Sequence, residues 1–373
     1  MYTEYLETGR TQIPVTKYIE DSFESSDMRD TVEEYYNDLD DLIKVLDIGH
    51  LPPDPLRTLR NFLEQNMDVF SKSETDVGLV PNYEASVSLK RDIKDVNVKF
   101  NPFPAAVREK VGTILRRYRK TGIISYAGDD IKDPIVSNML AIMKPNKQIR
   151  ACFDARFINY VTAKGKCFHR SLTQTLRDID PNGKYFCILD LSAAYFCIAI
   201  HPDSRRLFCF RDDKNKLNCF ARIPQGFVSS DQHLSAVLER VFLPDLPANE
   251  RPVSYQDDFI LSSRGSIEEA VDQLIGVLGK LKRSGLKLNP RKAKLFKPSV
   301  LFLGFLIHRE AIYTPSERVR SFVDFPTPKT RLELRKFINN MGFFRNSIPN
   351  YAELSFELQE LINNTDPTKK GHS

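Results

Sequence analysis

Two apolar stretches that end in acid constrain this chain more than anything else in it. Tyr185-Phe186-Cys187-Ile188-Leu189-Asp190-Leu191 is apolar enough for a buried strand, yet it delivers a carboxylate at its end. Val253–Tyr255 and Phe259–Leu261 flank Gln256-Asp257-Asp258, which reads as a tight hairpin with two carboxylates between apolar arms. Asp257 and Asp258 alone would be ordinary turn formers. Together with Asp190 they mean more, because three converging carboxylates repel one another unless cations neutralise them. Hard oxygen ligands favour Mg²⁺, and two such ions about 3.5–4 Å apart suit an in-line displacement at phosphorus. The pattern points to phosphoryl transfer.

The rest of the chain mixes helical and strand signals. Residues 1–27 look loosely structured. From about Asp30 to Asp47, the residues Val32, Tyr35, Tyr36, Leu39, Leu42, Ile43 and Leu46 trace one face of an acidic helix. Packing on the body is the favoured role for it, over nucleic-acid mimicry or assembly. Leu51-Pro52-Pro53-Asp54-Pro55 breaks that helix, and Leu56, Leu59, Leu63 and Met67 begin a second short one. Tyr83–Leu89 alternates as a strand, and Pro104 opens a helix that Gly122 closes. Met139–Met143, Arg150–Phe153, Cys197–Ile200, Leu207–Phe210 and Leu301–Ile307 read as further strands. Helices are predicted on Leu234, Val237, Leu238 and Val241, and behind the capping boxes Ser266/Glu269 and Thr330/Glu333. Helices packed on an antiparallel sheet make the class α+β.

Charge bears on the partner. The formal net charge of +5 hides an asymmetry: residues 1–50 carry −9, which leaves +14 on residues 51–373. A basic body attracts a polyanion, and neutralising phosphates supplies affinity independent of sequence. Lysines scattered over a solvated surface would give the same total. The longest apolar run, Val300 to Ile307, is far too short to span a bilayer, so no membrane partner is expected. Cys152, Cys167, Cys187, Cys197, Cys209 and Cys219 show no C-x-x-C spacing and read as reduced thiols of an intracellular protein.

Several short motifs follow one another in a telling order. Arg150-Ala151-Cys152-Phe153-Asp154-Ala155-Arg156-Phe157-Ile158-Asn159 comes first, then Leu189-Asp190-Leu191-Ser192-Ala193-Ala194-Tyr195 with Ile200-His201-Pro202. Pro224-Gln225-Gly226-Phe227, Tyr255-Gln256-Asp257-Asp258 and Leu303-Gly304-Phe305 come next. Pro326-x-Pro328-x-Thr330, Glu333-Leu334-Arg335-x-Phe337 and Ile348-Pro349-Asn350-Tyr351-Ala352 close the series. From about Leu51 to Leu361 the chain thus resembles the reverse transcriptases of gypsy-type (Metaviridae) long-terminal-repeat retrotransposons, a retrovirus-like polymerase family.

That resemblance implies a right-hand polymerase. An acidic segment (1–50) and a lead-in (51–83) would precede fingers over 84–185 and 207–222 and a palm over 186–206 and 223–307. A thumb and the start of a connection would fill 308–373, with no ribonuclease H domain. Asp190, Asp257 and Asp258 would hold two Mg²⁺ ions, with Mn²⁺ able to substitute and the Leu191 backbone carbonyl assisting. Lys144 and Arg150 would meet the triphosphate of a deoxynucleotide, Arg150 by its planar fork and Lys144 as a point charge. Ala193, Ala194, Tyr195 and Gln225 would line the nucleotide pocket, where the Tyr195 ring would clash with a 2′-hydroxyl.

Arg156, Pro224, Gly226, Tyr255, Leu303, Gly304 and Phe305 would contact template or primer, although Arg156 could equally pair with Asp154. Lys292, in Leu288-Asn289-Pro290-Arg291-Lys292, resembles the lysine that protonates departing pyrophosphate. Expected partners are an RNA template, a DNA primer or template and an RNA–DNA hybrid, in a cytoplasmic virus-like particle, with a homodimer left open. The chain also departs from the family pattern. Gln256 replaces an apolar residue and Ala194 a common Gly, while Ser229, Asp231 and Leu234 stand where Asn-x-Pro and a Phe are usual. None of these removes a metal ligand. Two rivals stay open: a catalytically silent nucleic-acid-binding protein that keeps this fold, and an RNA-directed RNA polymerase.

Overall fold

A computed structural model describes residues 34–90, 101–143, 149–163, 170–247, 250–308, 310–345 and 348–364. The segment 1–27, Val32, Lys144 and Cys167 lie outside the described residues. Tyr185–Asp190 is the middle strand of a five-stranded sheet in the order Asp47–Ile48, Lys294–Lys297, Tyr185–Asp190, Asp258–Ser263, Val253–Tyr255. Only the edge pairing of Asp47–Ile48 with Lys294–Leu295 is parallel.

Alternate side chains of a strand point to opposite faces, and both faces of this middle strand are covered. Cys187 and Leu189 enter the main core with Phe259, Leu261 and the stripe Val271, Leu274, Leu278 and Leu281 of the helix Ile267–Arg283. Phe186 and Ile188 enter a second core with Leu176, Ile179, Ile260, Val300 and Phe302. A strand buried on both sides has no reason to alternate apolar with polar, which accounts for its uniform composition.

A four-stranded sheet runs Ile124–Tyr126, Leu217–Phe220, Cys209–Arg211, Val136–Ser137. Beside it lies the hairpin of Met139–Met143 with Ile149–Phe153. Phe153, Phe208, Phe210 and Phe220 join these pieces, with ring centroids 5.9, 5.4 and 5.3 Å apart along the chain of contacts. The helix Ala105–Lys120 covers the cluster through Val107, Val111 and Leu115, and Gly122 ends it at φ +69°. Further on, Ser316–Val323, Arg331–Phe343 and Tyr351–Asn364 are helical, and the rings of Phe322 and Phe337 stack at 5.4 Å. No helix among the described residues is long and apolar enough to cross a membrane.

Both predicted capping boxes are present, each with reciprocal Ser/Thr and Glu contacts. Several expected elements differ in extent. The apolar run Leu301–Ile307 is not one strand; Ser299–Phe302 and Phe305–His308 pair as a hairpin around Leu303-Gly304, whose φ angles are +50° and +82°. The expected strand Cys197–Ile200 keeps only Ala199–Ile200, because a 3₁₀ turn takes Ala194–Cys197. Likewise Arg206–Phe208 is a 3₁₀ turn and the strand there is Cys209–Arg211, while Tyr83–Leu89 keeps only the short strand Glu84–Ala85 and an isolated bridge from Leu89 to Thr162.

Among the described residues near the amino end, the helix is Leu39–Val45 rather than the longer span expected. Asp38 stops it from starting earlier, since its carboxylate accepts the Asp41 N–H at 2.9 Å as an N-cap. The segment nevertheless packs on the body, with Leu42 and Leu46 buried. Tyr36 plugs in beside the helix Pro53–Asn66, and its hydroxyl lies 2.9 Å from the Met67 carbonyl and 2.7 Å from the Phe70 carbonyl. Tyr36→Phe keeps the ring and deletes that donor, so stability should fall by about 1 kcal/mol, read as a lower denaturation midpoint at unchanged slope.

Candidate active site

Strand register brings the acids together. Asp258 is the direct partner of Asp190 across adjacent antiparallel strands. Asp257 sits beside it in the two-residue turn between Tyr255 and Asp258, which pair with each other. Gln256, the other turn residue, holds φ +55°, a left-handed conformation that a tight hairpin normally gives to glycine. The Leu191 N–H donates to the Asp257 carbonyl at 2.9 Å, which ties the turn to the end of the Asp190 strand. The Asn289 N–H donates to the Asp190 carbonyl at 2.9 Å and Leu288 bridges to Leu191. That pairing carries the following residues alongside the acids, and Lys292 Nζ lies 2.9 Å from Asp190 Oδ2.

Gly285 lets this strand-like stretch begin where it does. It sits at φ +68°, and a Cβ there would lie 1.8 Å from the Leu79 carbonyl oxygen. Only glycine ends the helix Ile267–Arg283 against that passing backbone.

The electrostatics follow from burial. Asp190 is only 7% exposed. Burial raises its carboxyl above the usual range, and the Lys292 ammonium pulls it partly back. Burial and the neighbouring Asp190 and Asp257 charges push Asp258 up to about 6. Burial alone would lower the Lys292 ammonium, but contact with Asp190 outweighs it, so its proton is held more tightly than usual. Among the described residues no three Asp, Glu, His or Cys side chains are already gathered as a metal cage. The donor set nevertheless fits a hard divalent cation, since it is all carboxylate oxygen and already draws in a positive charge, with the Lys292 ammonium as stand-in.

The residues expected around the nucleotide divide into several groups. Ala193 takes a left-handed turn at φ +47° and begins the 3₁₀ turn Ala194–Cys197, which carries Tyr195 past the end of the Asp190 strand. Ala194 is buried and Tyr195 half-buried, with its hydroxyl donating to Asp231. Burial and Asp231 both raise the Tyr195 phenol well above its ordinary value, so it stays a donor. Pro224 is buried, Gln225 half-buried and Gly226 exposed at φ +90°. Arg150 is exposed on its hairpin, opposite Ile142. Arg156 forks onto Asp154 at 2.8 and 2.6 Å, the local pairing that the sequence left open. Tyr255 is half-buried opposite Asp258. Leu303 and Gly304 form a hairpin tip and Phe305 is buried behind it.

Three positioning contacts were not assigned from sequence. Asn159 donates through Nδ2 to the Gly226 carbonyl and accepts the Val228 N–H, both at 2.8 Å, and so brackets the Pro224–Phe227 loop. Its place in the motif ending Phe157-Ile158-Asn159 was the available signal. Arg318 donates to the Gly304 carbonyl at 3.1 Å, linking the hairpin tip to the helix Ser316–Val323. Asp231, which stands out in the sequence only as a departure from pattern, is the partner of Tyr195.

Residues 142–307 match the reverse transcriptase (RNA-dependent DNA polymerase) family. The Gag-Pol polyprotein of Koala retrovirus is 28% identical over 294 residues, which is 75% of this chain and 17% of that protein. The Gag-Pol polyprotein of Gibbon ape leukemia virus is 26% identical over 292 residues, with the same coverage. The chain therefore spans about a sixth of the curated relatives it matches. Among solved structures, the foamy viral protease-reverse transcriptase in complex with double-stranded DNA superposes with a TM-score of 0.75 at 20% identity, covering 92% of this chain and 58% of that one. The same viral protein in complex with an RNA/DNA hybrid gives 0.67 at 20% identity, covering 88% and 42%. The matched residues contain the paired acids, the Tyr195 turn and the Asn159-bracketed loop, so the part of the chain that is similar to the reverse transcriptase family is the part that builds the site, within a right-hand polymerase fold.

Proposed function

We propose that this chain is the polymerase module of a reverse transcriptase, extending a primer 3′-hydroxyl with deoxynucleotides on RNA and DNA templates. The single observation that carries the reading is the register pairing of Asp258 with Asp190, with Asp257 in the adjoining turn. The polyanion-attracting charge of residues 51–373 supports a nucleic-acid partner. So do the double-stranded DNA and the RNA/DNA hybrid with which the foamy viral proteins are complexed. The ordered tail motifs from Pro326 to Ala352 favour a gypsy-type retrotransposon origin. The division into fingers, palm and thumb belongs to the same proposal.

The reaction is attack of the primer hydroxyl on the α-phosphate, with pyrophosphate as the leaving group. Asp190, Asp257 and Asp258, with the Leu191 carbonyl, would hold two Mg²⁺ or Mn²⁺ ions. Such ions supply neutralisation of the acids and a lowered pKa for a bound hydroxyl. The chain's own residues position and exclude. The Asn159-bracketed loop presents Gln225 and the open backbone of Gly226 to the nucleotide sugar. Tyr195 blocks a 2′-hydroxyl. Lys292 stays protonated beside Asp190 and is placed to donate that proton to departing pyrophosphate. Lys144 and Arg150 would hold the triphosphate, and Arg156, Tyr255 and the Leu303–Phe305 tip the template and primer.

Primer extension on matched RNA and DNA templates tests this directly. Asp257→Asn should cut incorporation by more than about 100-fold while a gel-shift assay shows the primer–template still bound; retained extension would remove the acid set from the chemistry. Lys292→Leu should slow single-turnover incorporation by about 100-fold with little change in nucleotide affinity. A variant that incorporates at the normal rate would leave Lys292 as a counter-ion alone.

A further inference from the structure

We propose that Asp231 is a specificity-determining positioning residue: its carboxylate fixes the Tyr195 ring through the phenol hydroxyl, so that the ring cannot yield to a ribonucleotide's 2′-hydroxyl. The proposal rests on the reading of Tyr195 as the sugar discriminator. An aromatic side chain excludes an atom only if it cannot swing away from it. Tyr195 stands on a short 3₁₀ turn, Ala194–Cys197, where the backbone fixes Cα but leaves the ring two torsions. Main-core packing secures the neighbours Ala194 and Phe196 more completely than Tyr195, which is half-buried. The ring therefore needs a second anchor, and the hydroxyl bond to Asp231 provides one from a different element.

Asp231 is well placed to hold that anchor. It lies in the first turn of the helix Ser230–Val237, where the helix end favours a negative charge. The Ser230 N–H donates to the Phe227 carbonyl at 3.1 Å and the Ser230 hydroxyl to the Pro224 carbonyl at 3.4 Å. The helix start is thus joined to the loop bearing Gln225 and Gly226, and Asn159 holds the same loop from the other side. The ring and the loop that flank the nucleotide are thereby tied into one unit through Asp231. A proline at position 231, usual in the family this segment resembles, would have no side-chain oxygen to offer the phenol.

The test is single-nucleotide incorporation on a primed template, comparing kcat/KM for a deoxynucleotide and its matched ribonucleotide in the wild-type chain, Asp231→Ala, Asp231→Asn, Tyr195→Phe, Tyr195→Ala and the double variant Asp231→Ala/Tyr195→Phe. Asp231→Ala and Tyr195→Phe should each lower the deoxy-to-ribo ratio by about tenfold, the equivalent of one hydrogen bond to a charged group. The double variant should lose no more than either single one. Asp231→Asn retains an acceptor oxygen and should restore most of the ratio. Because the readout is a ratio, a reduced folded fraction does not imitate the effect, and Tyr195→Phe decides the matter should Asp231→Ala not fold. An unchanged ratio in Tyr195→Phe or Asp231→Ala, with Tyr195→Ala relaxed, overturns the role of Asp231 and leaves Tyr195 in place. An unchanged ratio in Tyr195→Ala overturns the sugar-discriminator reading and this inference with it.

Discussion

The site depends on one pairing: Asp258 opposite Asp190 on neighbouring strands. Antiparallel register is quantised, and a slip of one residue would turn every side chain of a strand to the other face. Here both faces of Tyr185–Asp190 are claimed by different cores, so a slip would exchange Phe186 and Ile188 with Cys187 and Leu189. Those two sets differ in size and neighbours, and neither core could accommodate the other. Hydrophobic packing on two sides therefore fixes where the carboxylates land. The acids bring no stability of their own; burial and mutual repulsion raise both Asp190 and Asp258.

Lys292 is the local answer to that repulsion. Its ammonium comes from the segment that pairs with the end of the Asp190 strand, so the backbone that closes the sheet also delivers the counter-charge. A buried acid with a hydrogen-bonded cation is far less costly than one without. The arrangement also keeps the lysine proton inside the group of acids, where the proposed chemistry would use it.

Much of this was legible in the sequence because the responsible signals are local. The hairpin arms, the apolar strand, both capping boxes and the Gly122 stop each rest on a few adjacent residues. What escaped was set by distant partners or by hidden turns. Leu301–Ile307 reads as continuous because Leu303 occupies a left-handed turn position that its side chain does not advertise. The 3₁₀ turn at Ala194–Cys197 follows from the left-handed Ala193, equally invisible in an alanine. The contacts of Asn159, Asp231 and Arg318 join residues that are not neighbours in the chain. For them a motif position or a departure from pattern can flag the residue, but not the partner.

The parallel pairing of Asp47–Ile48 with Lys294–Leu295 has a consequence for how the molecule assembles. The early segment occupies the outer edge of the five-stranded sheet, where unpaired N–H and carbonyl groups would otherwise invite another chain. Its partner strand lies nearly two-thirds of the chain further on, so Asp47–Ile48 has no strand to pair with until Lys294–Lys297 has been made. Closing a loop that long is entropically slow, and the sheet's last seal is consequently among its latest events. A chain lacking its early segment would leave the Lys294–Leu295 edge open to pairing with a neighbour.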